Sequence, residues 1–315
     1  WQISMIVRRH LRLDKTLKFS WKNILFSSIC GGVACIAHHY LGITSFFIPP
    51  AVVAILGTAL AIILGFRNSA GYERWWEARE IWGGIASESR TFTRQAMTIV
   101  DPKNYSDELW EVAASAVKQQ LAWVNAMRLQ LRGITDPGVW IEDVGQHLSA
   151  ADFEMMLIKE NRVTHIGMIN GNTIKELQAH DSMDIFSYIQ MDDTITRLTG
   201  LQGRAEKIKN TPLPRPYDYY TLAFLGLFTL LFPFAFIGDF TAVGMPWGIA
   251  PITVVVSWFF YQLYAFGYAL SNPFENFETD VPLDAICREI EIDLKEVISV
   301  DSIPAKLQAV DGVLT

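Results

Sequence analysis

Apolar and polar positions in this chain are segregated into long blocks instead of alternating turn by turn. From Asn23 to Phe66 there are 44 residues without Asp, Glu, Lys or Arg, and from Tyr219 to Phe274 there are 56 with only Asp239. A membrane-crossing helix needs about 20 mostly apolar residues to span about 30 Å of hydrocarbon. Each block is therefore long enough for two spans and a short outer loop. The pattern predicts spans over Ile24–Leu41, from Pro49 and Pro50 to Phe66, over Tyr219–Ile237 and over Pro251–Leu270. The two prolines suit the start of a helix, where a missing N–H costs little.

Between the blocks the pattern changes to charged helices. Asp107–Leu131 carries Leu109, Val112, Ala113, Ala116, Val117, Leu121 and Val124 at helical spacing, without internal Pro or Gly. Ser149 and the Ala-Ala-Asp after it predict a second helix start, and Met183–Leu201 a third helix. Thr211–Pro216, with three prolines, breaks the pattern before the second apolar block. Ile286, Ile290, Leu294 and Val297 predict an amphipathic helix within Asp280–Val300. The expected fold class is all-α and integral to a membrane, with four transmembrane helices. Its parts are a basic cytosolic segment (1–23), the first span pair (24–66), a cytosolic helical region (67–218), the second span pair (219–271) and a cytosolic C-terminal segment (272–315).

Charge sets the orientation. Arg8, Arg9, Arg12, Lys15, Lys18 and Lys22, against Asp14 alone, precede the first span, and Arg67, Arg74 and Arg79 follow the second. The outer loops, Gly42–Phe47 and Asp239–Trp247, contain no Lys or Arg. Positive flanks stay inside, which predicts a multi-pass protein of the plasma (inner) membrane with both termini cytoplasmic. A net charge of −7 argues against nucleic acid as a partner. Cys30, Cys35 and Cys287 form no disulfide framework, and no cleavable signal peptide is expected.

No phosphate-binding loop, dinucleotide fingerprint, zinc-protease motif or nucleophile elbow occurs, so neither an enzyme nor a cofactor is expected. His38 and His39 lie in a predicted span and read either as a proton or metal site or as residues near the outer interface; adjacent helical residues diverge, which favours the interface. Asp192 and Asp193 read as a cation site or a solvated helix face. His147, His165 and His180 lack ligand-like spacing, so no metal site is expected. In the second span, Thr58, Ile62 and Phe66 repeat at i, i+4 and i+8 on one face, beside small Ala54, Gly57, Ala61 and Gly65. That face reads either as a packed helix interface or, in a ring of subunits, as a hydrophobic constriction.

Several segments together resemble the bestrophin family of ion channels. They are Arg74-Trp75-Trp76-Glu77-Ala78-Arg79 with Trp82-Gly83, then Pro216-Tyr217-Asp218-Tyr219-Tyr220, and Trp258-Phe259-Phe260-Tyr261 through Ser271-Asn272-Pro273-Phe274, followed by Phe277-Glu278-Thr279. The resemblance implies a homopentamer around one central pore lined by the second span, in contact with membrane lipids and permeant monovalent ions. It places Thr58, Ile62 and Phe66 at the pore neck, although Thr58 departs from the bulky apolar residue usual there. It places a cytosolic aperture near Ile185, Phe186 and Ile189. Animal members follow Asn-Pro-Phe with a run of acids that helps clasp calcium. Here Glu275 and Asn276 stand in its place, so no calcium gating through Asn272–Asp280 is expected.

The bacterial branch is associated with monovalent cations, sodium in particular, and animal members with chloride. An apolar neck carries no sign preference. Asp239 at the outer mouth, repeated by symmetry, would favour cations. The expected function is passive conduction of small monovalent ions, with cations favoured and chloride as the alternative. A secondary transporter is a further alternative, set back by the lack of repeated halves and of mid-span charge, as is a membrane-bound scaffold.

Overall fold

The computed structural model describes residues 13–40, 42, 48–99, 107–179, 183–299 and 302–309. Arg8, Arg9, Arg12, His180 and the first outer loop beyond Gly42 lie outside them. Among the described residues the chain is helical, with no strand. Its helices are α1 (Leu13–His39), α2 (Pro50–Thr98), α3 (Asp107–Arg132), α4 (Pro137–Asp143), α5 (Ala150–Leu157), α6 (Arg162–Ala179), α7 (Ile185–Asn210), α8 (Arg215–Ala242), α9 (Ile249–Leu270) and α10 (Leu283–Val297). They belong to two compact units. One draws on 8–74 and 212–272, the other on 75–211 and 273–315.

The first unit is the apolar one. Three helical stretches, Pro50–Thr98, Arg215–Ala242 and Pro246–Leu270, are long and apolar enough to cross a membrane. In α1 the charge-free apolar part is shorter. Ile24–Ala37, bounded by Lys22 and Asn23 on one side and His38 and His39 on the other, is 14 residues. At 1.5 Å per residue that covers about 21 Å. The helix stops at His39, two residues short of the predicted span end. Small polar groups tie α1 to its neighbours, as they do between helices in lipid. Trp258 Nε1 donates to Ser20 Oγ at 3.0 Å, Asn23 Nδ2 to Ser257 Oγ at 3.3 Å, and Ser257 Oγ lies 2.9 Å from Thr229 Oγ1. Gly31 allows the closest approach, because a Cβ there would stand 2.8 Å from Ala250 Cα.

The largest difference from the sequence expectation is α2. It does not end near Phe66 but runs unbroken to Thr98. No proline occurs after Pro50 in this stretch, and Gly71 is held by packing: a Cβ there would sit 2.8 Å from Gly267 O. In the apolar unit Val53, Leu60 and Leu64 are buried with Leu225, Phe228 and Tyr264. The first charged residue after the apolar block, Arg67, is 1% exposed. Its Nε donates to Asp218 Oδ1 at 2.8 Å and its Nη1 to Tyr264 O at 2.8 Å, while Nη2 also bonds Asp218. Its guanidinium lies 4.4 Å from the Tyr264 ring centroid.

The second unit is a helical body around α3, buried along most of its length from Ala113 to Leu131. Trp82 and Trp140 are the largest fully enclosed side chains of its core. Several of its buried polar groups are paired with each other. Gln120 donates to Ser89, Asn170 to Gln120, Thr173 to Gln119 and Thr194 to Gln95, all within 3.1 Å. Ser149 caps α5 by accepting from Asp152 N, and Asp184 caps α7 by accepting from Phe186 N and Ser187 N. In α10, Ile286, Ile290 and Leu294 are buried as the spacing predicts, but Val297 is half exposed in the last turn.

The Arg67–Asp218 pair yields a stability prediction. Removing one partner of a buried, hydrogen-bonded pair costs about 3–5 kcal/mol. Arg67→Ala should therefore lower the melting temperature of detergent-purified protein clearly more than Arg204→Ala, which removes an exposed guanidinium 3.5 Å from Glu77. Equal losses would show that the buried pair does not hold α2 to α8.

Candidate functional site

The three predicted neck residues occupy one face of α2. Ile62 is 55% and Phe66 70% exposed, and Thr58 is exposed as well. Thr58 Oγ1 donates to Ala54 O at 2.9 Å, so its single donor is committed to its own helix. Ala54, Ala61 and Gly65 lie exposed on one flank of this face, and no atom lies within 4 Å of where a Gly65 Cβ would be. Gly57 instead points toward the core, where a Cβ would meet Phe228 at 2.9 Å. Ile55, 69% exposed and seven residues before Ile62, extends the same stripe, and the sequence reading omitted it. Its signal was the two-turn repeat from Ile55 to Ile62.

Ile185, Phe186 and Ile189 are all exposed in the first turns of α7, with Phe186 at 80%. The residue that positions them, Asp184, was also missed. Its carboxylate accepts from the Ser187 hydroxyl at 2.6 Å as well as from two backbone N–H groups. The hydroxyl and then the N–H groups hold this carboxyl below the usual carboxylate range, so it is charged at neutral pH. The signal was its place before a helix start, where Asp is a favoured cap.

Asp239 is exposed in the last turn of α8. An acid near a helix C-terminus gains nothing from the helix dipole, so local helix stability does not account for it. His38 Nε2 lies 3.0 Å from Thr241 Oγ1, and His39 packs edge-on against Trp247. Both histidines thus close the end of α1 with their neighbours. Asp193 pairs with Arg197, which also meets Glu88 at 3.0 Å, so this acid belongs to a helix-face ion pair. Among the described residues no group of three or more His, Cys, Asp or Glu is placed to hold a metal ion.

In the Asn272–Asp280 segment, Glu275 pairs with Lys209 at 2.8 Å and Trp75 Nε1 donates to Thr279 O at 3.1 Å. Asp280 is 4% exposed; its Oδ2 accepts from Phe277 N at 3.1 Å, and its Oδ1 has no partner. Burial pushes this carboxyl up to about 6. His147, also buried and with Nε2 unpartnered, is pushed down to about 4 by the same cause.

A family model described as Bacterial/Fungal Bestrophin protein matches residues 15–296. The chain belongs to the bestrophin family. Members of this family are ion channels and not enzymes, and this bestrophin is an ion-channel protein of a membrane. It is 32% identical over 254 residues to the voltage-dependent anion channel-forming protein YneE of Escherichia coli O157:H7, covering 81% of this chain and 78% of that protein. A protein of Ralstonia nicotianae, also named voltage-dependent anion channel-forming, is 29% identical over 316 residues, covering 95% and 96% of the two chains. The crystal structure of a bacterial bestrophin homolog from Klebsiella pneumoniae superposes with a TM-score of 0.80 at 27% identity, covering 90% of this chain and 99% of that one.

The two buried titrating groups make opposite contributions to stability. His147, with its folded value depressed, adds stability that is complete above pH 6.5 and is lost as pH falls toward 4. Asp280, with its folded value raised, adds stability that is complete below pH 3.8 and is lost as pH rises toward 6. Relative to the parent protein, Asp280→Asn should gain melting temperature as pH rises from 4 to 6.5, and His147→Gln should lose it. Thermal scans across that range check this. Parallel curves for all three proteins would contradict the burial of both groups.

Proposed function

We propose that this bestrophin is a homopentameric channel of the plasma (inner) membrane. It conducts small monovalent ions passively through a central pore. Each subunit contributes four membrane helices, α1 included, and both termini lie in the cytoplasm. α2 lines the pore, with Thr58, Ile62 and Phe66 as a hydrophobic neck and Ile185, Phe186 and Ile189 around a cytosolic aperture.

The observation that carries this reading is the uncharged, exposed stripe of α2 from Ile55 to Phe66, opposite the buried Val53, Leu60 and Leu64. Lipid contact would also suit an apolar exposed face; membership of a family of ion channels supports the pore reading. The small flank of Ala54, Ala61 and Gly65 lets neighbouring helices approach. A narrow ring of such side chains cannot replace an ion's hydration shell, so it controls conduction by wetting.

The favoured ions are cations, sodium included, because the exposed acids Asp184 and Asp239 would form rings near the two ends of the path. The names of the relatives support a second reading, an anion-selective channel. A bilayer recording of purified protein under a NaCl gradient separates them. A reversal near the sodium equilibrium value is expected, a reversal near the chloride value would replace the cation assignment, and saturable coupled uptake without unitary currents would replace the channel by a transporter. Ile62→Ala should raise conductance or open probability, and unchanged currents from an intact assembly would remove Ile62 from the neck.

A further inference from the structure

The apolar unit carries a groove that the proposed pore does not use. It lies between α2 and the start of α8, has a volume of about 510 Å³, and is walled by Ile63, Pro214, Pro216, Tyr217, Tyr220 and Phe224. Two of the hydroxyl groups on its walls are hydrogen-bonded to backbone carbonyls. Tyr217 OH donates to Ile63 O at 3.3 Å and Thr221 Oγ1 to Tyr217 O at 2.7 Å. These mostly apolar walls suit hydrocarbon, in a volume comparable to one acyl chain.

The rim has the opposite character. Arg215, between the two groove-wall prolines in sequence, is exposed and makes no hydrogen bond or ion pair among the described residues. It begins α8, whose N-terminus has no side-chain cap, so the partial positive charge of the helix end adds to the guanidinium. Tyr219 and Tyr220, 70% and 56% exposed, stand beside it where the apolar block starts. Aromatic rings and an arginine at the end of an apolar span are the signature of the membrane–water interface.

We propose that the groove binds an anionic phospholipid, with one acyl chain along Ile63, Tyr220 and Phe224 and the phosphate against Arg215. Charge complementarity selects this occupant over a second copy of the chain. Of the acids whose side chains are described in the apolar unit, Asp218 is committed to Arg67, and Asp239 lies 24 residues along α8, about 36 Å away at the helical rise. Glu73 is ten residues beyond Ile63 on α2. Asp218 lies at the level of the groove but is taken up by Arg67, and neither Asp239 nor Glu73 sits there to answer Arg215 from a neighbouring copy, whereas a lipid phosphate does so at that depth. The site requires membrane insertion but not ion conduction, so it stands or falls separately from the channel.

Native mass spectrometry of the detergent-purified assembly tests it, with equal amounts of phosphatidylglycerol and phosphatidylcholine added. The parent protein should retain phosphatidylglycerol over phosphatidylcholine by about fivefold, as expected for one interfacial cation. Arg215→Gln should abolish the preference with assembly mass and melting temperature unchanged, and Phe224→Ala should weaken retention of both lipids. Full preference in Arg215→Gln would overturn the proposal. So would efficient disulfide cross-linking of Tyr220→Cys to Gly65→Cys across subunits, which would show that a second copy fills the groove. The native cysteines Cys30, Cys35 and Cys287 are all buried, which limits background.

Discussion

The ion pair between Arg67 and Asp218 fixes the rotation of α2, and the character of the candidate pore face follows from that rotation. Arg67 is five residues after Ile62, which at 100° per residue puts it about 140° around the helix from Ile62. Burying the guanidinium against Asp218, Tyr264 O and the Tyr264 ring therefore turns Thr58, Ile62 and Phe66 outward. Apolar contacts alone specify such a rotation weakly in lipid, because lipid tails are as apolar as the side chains they contact. A charge taken out of water allows far less freedom, since every lost hydrogen bond leaves an uncompensated group.

That arrangement separates two tasks along the proposed ion path. The α2 stripe offers no charge and no free donor, because Thr58 spends its hydroxyl on Ala54 O. It can set how easily water fills a narrow passage but not which sign of ion follows. Sign preference has to come from fixed charge at the ends of that path, the role proposed for Asp184, held ionised by Ser187, and for the exposed Asp239.

Much of the architecture was legible because burial in lipid and burial in a protein body leave different patterns. Charge-free blocks marked the apolar unit, and 3–4 spacing marked α3 and the buried side of α10. The long continuation of α2 past Phe66 was not legible, since a change from apolar to charged composition marks a change of solvent and not the end of a helix. Val297 has the right spacing but falls in a last turn that leaves it half exposed. The neck candidates were visible as an i, i+4, i+8 repeat, although spacing alone cannot tell an exposed stripe from a packed one. The Arg67–Asp218 pair left a signal that went unread: each is the charged residue bordering one of the two uncharged blocks. Asp184 was hidden because a helix cap and the acid proposed for the aperture are the same residue type in the same place.

The central claim is that the exposed face of α2 borders the ion path. Ile62→Cys tests it most directly, with silver ions applied during bilayer recording. The introduced thiol would be the accessible one in a chain whose own cysteines are buried, and block of the current should be rapid and reversed by a thiol competitor. Currents that persist at their original amplitude after mass spectrometry shows the introduced thiol modified would place this face away from the pore and contradict the account.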